Sequence, residues 1–149
     1  MSSYAKQIGD AIVTVIQGLS GAPSLVQLRK ENVLLSREEI TEVDGAVIVA
    51  VGLETPVNIT TGGTIFKEYI ARVMYARKNP GKVATELDTN PAFVLRMKQA
   101  LDITSLAGVP VVWSVDLIEA EEWEEDEFGK AAEVSTFGLK VHTNEPRNG

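Results

Sequence analysis

The fold class of this chain turns on fifteen residues, TIFKEYIARVMYARK at 64–78. Phe66, Tyr69, Ile70, Val73 and Met74 trace a stripe at helical spacing. Ile65, Tyr69, Ala71, Val73 and Tyr75 equally trace one face of a strand with period two. The preceding Gly62-Gly63 pair punctuates a turn, and the segment is rich in aromatic residues. Both features favour a long strand.

Shorter signals place the other elements around it. AVIVAV at 46–51 follows the turn pair Asp44-Gly45, and its continuous β-branched run reads as a buried strand. LVQLRKEN at 25–32 alternates and reads as a second short strand. Ser3 stands where it caps a helix whose Ile8, Ala11, Ile12, Val15, Ile16 and Leu19 share one face; Gly18, Gly21 and Pro23 end it. The β-branched residues of that helix demand support from tertiary packing. Ser36, three before Glu39, resembles a capping box and predicts one helical turn. TTGG at 60–63 and NPGK at 79–82 read as turns.

Asn90 as N-cap and Pro91 at the first helical position predict a second helix with Phe93, Val94, Met97, Ala100 and Leu101 on one face. Gly108 and Pro110 stop it. VPVVWSVDLIEA at 109–120 and EVSTFGLKVHT at 133–143 read as paired strands, and the polar tail NEPRNG at 144–149 as frayed. No repeat or linker interrupts the chain. The order predicts one domain over 1–149 of α+β class, a mostly antiparallel sheet with two main helices packed on one face.

Charge narrows the function. The formal net charge is −7, yet Glu119, Glu121, Glu122, Glu124, Glu125, Asp126 and Glu127 account for all of it, because the other 14 acids balance the 14 Lys and Arg. No basic face argues for tight nucleic-acid binding. Arg72, Arg77, Lys78 and Lys82, interleaved with Tyr69 and Tyr75, are the nearest approach to one, and a subunit or surface contact is the preferred reading. The chain has no cysteine, which excludes disulfides and thiolate chemistry and suits a reducing cytoplasm. The N-terminus does not read as a signal peptide, and the longest apolar run, at 46–53, falls far short of the roughly 20 residues of a membrane span.

The acidic run EAEEWEEDEF at 119–128 has no Asp/Asn-Gly spacing of a calcium loop, and its contiguous carboxylates are too alike to divide acid and base roles. A solvated connection between two strands is the simplest reading, with a weak cation site or a contact for a basic partner as alternatives. His142 is the only histidine. Ser135 and Asp116 supply the other members of a triad on paper, but no nucleophile-elbow motif accompanies them. Gly62-Gly63 lacks the lysine and spacing of a phosphate loop. The residues therefore nominate no catalytic, cofactor-binding or metal-ligating side chain.

Three stretches carry a resemblance. An amphipathic N-terminal helix, YAKQIGDAIVTVIQGL, precedes a strand. The aromatic strand FKEYIARVMYARKN leads to ELDTNPAFVLRMKQAL. The Trp-bearing strand VVWSVDL is followed by an acidic excursion and then STFGLKVHTNEP. In order and length these resemble the tail-terminator and neck proteins at the head–tail junction of tailed bacteriophages. That resemblance implies a non-catalytic virion protein without a cofactor, assembled in the host cytoplasm as a homo-oligomeric ring, commonly hexameric. It implies neighbouring neck, connector and tail-tube proteins, and DNA passing through the lumen without sequence-specific binding. A tail terminator is the leading expectation. A neck adaptor or head-closure connector, or a small cation-dependent enzyme or ligand-binding domain, are the alternatives.

Overall fold

A computed structural model describes residues 3–23, 25–29, 45–52, 55–59, 63–78, 84–118 and 132–146. Helix α1 spans Tyr4–Gln17, followed by strands β1 (Leu25–Arg29), β2 (Ala46–Val51), β3 (Thr55–Ile59) and β4 (Thr64–Lys78). Helix α2 (Ala84–Leu101) and strands β5 (Val112–Ile118) and β6 (Ala132–Pro146) complete the order. The segment at 64–78 is a strand, and it is the spine of the sheet. β4 pairs along its whole length with β6, and on its other side with β2 at 71–76 and β3 at 65–68. The path across the sheet is β1-β2-β4-β6-β5, with β3 off that path on β4. Among the described strands β1 and β2 run parallel, and the other pairs are antiparallel. The class is α+β.

Strand alternation sorts the sheet into two faces. Tyr69, Ala71, Val73 and Tyr75 of β4 point inward with Val47 and Val49 of β2 and Phe137, Leu139 and Val141 of β6. Both helices lie on this face. Ile8, Ile12 and Ile16 of α1 and Phe93, Met97 and Leu101 of α2 complete one apolar cluster with those strand residues. β2 is buried on both sides, because Ile48 on the outer face is as enclosed as Val47 and Val49 on the inner one. Its unbroken apolar run is explained by this placement.

α1 begins where the sequence places it. Ser3 Oγ accepts from the Lys6 backbone N–H at 3.2 Å. Gly18 caps the other end, and Gly21 follows with φ of 86°, a left-handed turn that glycine enters without steric cost. Gly9 faces β1 closely: a β-carbon there would lie 2.4 Å from Leu28 Cδ1, so the missing side chain sets the helix–strand distance. Ser3→Ala is expected to cost about 1 kcal/mol, read as a lower midpoint in urea with an unchanged slope. An unchanged midpoint would mean that this cap contributes nothing.

Three expectations need correction. α2 begins at Ala84, so Asn90 is not its N-cap and Pro91 lies inside it. Ala84, Glu86 and Leu87 are strong helix formers, and the helix runs through the proline even though Pro91 offers no N–H to the carbonyl of Leu87. β3 was not foreseen. Pro56 and Asn58 depress its strand signal, and a register shift between them marks a bulge against β4, where such residues are tolerated. The tail is not frayed from Asn144, because β6 continues to Pro146. The strand pair at 109–120 and 133–143 forms as an antiparallel pair, with Val115 opposite Val141. The turn at 79–82, the capping box at 36–39 and the acidic run at 119–128 lie outside the described residues.

Candidate functional site

Two polar clusters occupy one end of the sheet, on opposite faces. The inner one is buried. Lys67 of β4 stands opposite Thr143 of β6, and Glu145 lies one step along, opposite Ile65. Glu145 is 3% exposed. Its Oε2 accepts from the Tyr69 hydroxyl at 2.7 Å and from the Thr143 hydroxyl, and its Oε1 faces Lys67 Nζ at 3.5 Å. Diagonal neighbours on adjacent strands are within reach of long side chains, which is why β6 delivers the carboxylate to the β4 residues. Tyr69 therefore buries its ring in the core and spends its hydroxyl on this carboxylate. Alternation had marked Tyr69 as core, but its polar contact needed the register of β4 on β6.

The outer cluster is on the surface. Glu68, His142 and Ser114 form a row across β4, β6 and β5, and Lys140 stands opposite Asp116 in the next row. His142 Nε2 lies 2.9 Å from Asp116 Oδ2, and its Nδ1 lies 3.7 Å from Glu68 Oε1. Ser114 Oγ donates to Asp116 Oδ1 at 3.3 Å, and Lys140 Nζ is 3.8 Å from Glu68. A bulge between Val112 and Ser114 turns Trp113 onto this same face. There its ring meets Phe66 edge-on at 6.3 Å and tilts over His142 at 5.1 Å. Trp113 still keeps 52% of its surface exposed.

Chemically this cluster holds itself together rather than waiting for a substrate. Both imidazole nitrogens face carboxylates, and the nearby hydroxyl is turned to Asp116. Nucleophilic catalysis requires a base nitrogen on the nucleophile itself. Asp116 does meet His142, but Ser135 is seven residues further along β6, roughly 23 Å away at strand spacing. The triad on paper is not assembled. His142, expected as an exposed or edge residue, is half-buried on an inner strand. Among the described residues no group of three or more His, Asp or Glu is placed to hold a metal ion.

The basic and aromatic residues also separate. Tyr69 and Tyr75 are buried inward at 1% and 7% exposure, and Arg72 lies on the other face. These three do not form one stacking surface for bases; Lys82 and the side chains of Arg77 and Lys78 lie outside the described residues. Among the described residues no helix is long and apolar enough to cross a membrane.

No protein-family model and no curated protein matches this sequence. The fold does match. A sheath/tube terminator of an extracellular contractile injection system, PVC, seen in its extended state by cryo-electron microscopy, superposes on 98% of this chain at a TM-score of 0.54. Identity is 11%, and the match spans 57% of that longer chain. This chain shares its fold with a tube terminator.

Proposed function

We propose that this protein is a structural subunit of a ring that closes the end of a tail tube, in a phage virion or a related injection particle. It acts as a single-domain subunit over residues 1–149, without catalysis and without a cofactor. The observation that supports this most is the match of nearly the whole chain to a protein described as a sheath/tube terminator. The self-satisfied His142 cluster agrees with it, because those side chains fasten strands to one another. In this reading six copies form the ring, neighbouring tube and neck proteins stack on its two faces, and DNA crosses the lumen without base-specific contact.

Sedimentation velocity and native mass spectrometry of the purified chain test the proposal. A single closed oligomer that adds to the ends of tube polymers and stops their growth is the expected result. A chain that stays monomeric at every concentration, leaves tube length unchanged and binds a divalent cation tightly would overturn it in favour of a cation-dependent protein.

A further inference from the structure

Helix α2 carries a second helix start inside it. It runs from Ala84 to Leu101, so Pro91 stands about two turns in. A proline there removes one bond of the ladder and crowds the carbonyl four residues before it, that of Leu87. At the first position of a helix the same proline costs nothing, because the N–H it lacks would have no partner anyway. Asparagine is among the residue types that best precede such a start, and Asn90 stands there. The chain thus holds two competing beginnings, one at Ala84 and one at Pro91.

The sequence differs on the two sides of the proline. After it, Phe93, Met97 and Leu101 are buried in the core, and Arg96 donates to the Ser20 carbonyl at 2.9 Å. Before it stands ATELDTN, in which Leu87 is the one large apolar residue. Thr, Asp and Asn make up four of its positions, and these residue types favour local backbone bonds over a helix interior.

We propose that α2 is a helix of two lengths. Residues 84–90 unwind as one unit to a shorter helix that begins at Pro91, while the part from Phe93 onward stays packed. Unwinding relieves the crowding at the Leu87 carbonyl and brings Asn90 to the capping position. Rewinding recovers the backbone bonds of the first two turns. Gains and losses oppose each other, so neither beginning excludes the other. The consequence is reach. The seven residues rise about 10 Å as helix and about 23 Å when extended, so the short form adds roughly 12 Å of slack between β4 and α2. The slack is drawn without moving the packed core, and it does not depend on the ring reading.

Amide hydrogen exchange, read residue by residue by NMR on the intact chain, tests this. In a helix that starts at Ala84, the N–H groups of Asp88, Thr89 and Asn90 bond the carbonyls four residues back; in the short form those bonds are gone. One common protection is expected for these three amides, about 10-fold or more below that of residues 97–101. Pro91→Ala removes the second start. It is expected to raise the common value about 100-fold, or to the level of residues 97–101 if that is reached first. Asn90→Ala is expected to raise it about 5-fold, and Asn90→Asp, which keeps a capping side chain, to leave it in place. Protection that climbs steadily from Asp88 to Asn90 would show ordinary fraying from the helix end and overturn the proposal. So would three amides as protected as residues 97–101 in the wild type, or a common value that Pro91→Ala does not move.

Discussion

Glu145→Ala is expected to lower stability by about 3–5 kcal/mol, one of the two largest single effects in this molecule. The substitution takes away the acceptor shared by Tyr69 and Thr143 and the carboxylate that faces Lys67. Thr143 is fully buried and Tyr69 nearly so, so water does not readily replace the lost partner. For a domain of this size the change corresponds to a fall in melting temperature on the order of 10 °C. Glu145→Gln separates charge from hydrogen bonding. Glutamine keeps one acceptor oxygen for the hydroxyls, but its amide is a donor turned toward another donor, Lys67. It should fall between wild type and alanine, at a cost of about 1–3 kcal/mol. If both variants melt with the wild type, the carboxylate is solvated in solution and the buried cluster does not hold the strand ends together.

Ile12→Ala is the second, with an expected loss of about 2–5 kcal/mol. Ile12 is fully buried at the centre of the α1 stripe, between Ile8 and Ile16, against β1 and β2. The spread reflects how far the neighbours collapse into the space. Ile12→Asp is the harsher version, because it would place an unpaired carboxylate in the same site, and it is expected to yield no cooperative melting transition. A soluble Ile12→Asp protein with an unchanged transition would refute the packing of α1 on the sheet.

Much of this architecture was legible because period and burial agree. α1 shows one apolar stripe from Ile8 to Leu19, and that stripe is what the sheet covers. In β4 the inward set Tyr69, Ala71, Val73 and Tyr75 was readable from alternation, although Phe66 and Met74 kept a helical reading open. β3 was illegible because its Pro56 and Asn58 are poor strand formers, and only pairing with β4 overrides them. The end of β6 was illegible for a different reason. Thr143 and Glu145 put polar atoms at inward positions, so hydropathy reads as an exit from the core where there is in fact a hydrogen-bonded cluster. The start of α2 was misplaced because Asn90-Pro91 imitates a helix start in the middle of one. The candidate surface was partly visible. His142 and Asp116 were singled out, but their companions Glu68, Ser114 and Trp113 come from strands whose register no local pattern encodes.

The pairing of β4 with β6 along all fifteen positions has a consequence for how the chain is made. On the ribosome, α1, β1, β2 and β4 emerge first and can begin to collapse. The strand that must lie against β4 follows only after about 50 more residues, a delay of roughly 3–10 s at translation rates of 5–20 residues per second. Throughout that interval the nascent half-sheet presents a long open edge, rich in aromatic and β-branched groups, which is a template for the wrong partner. Lys67 and Arg72 stand along that strand, and charged side chains on an open strand disfavour pairing with a like strand until β6 arrives to close it.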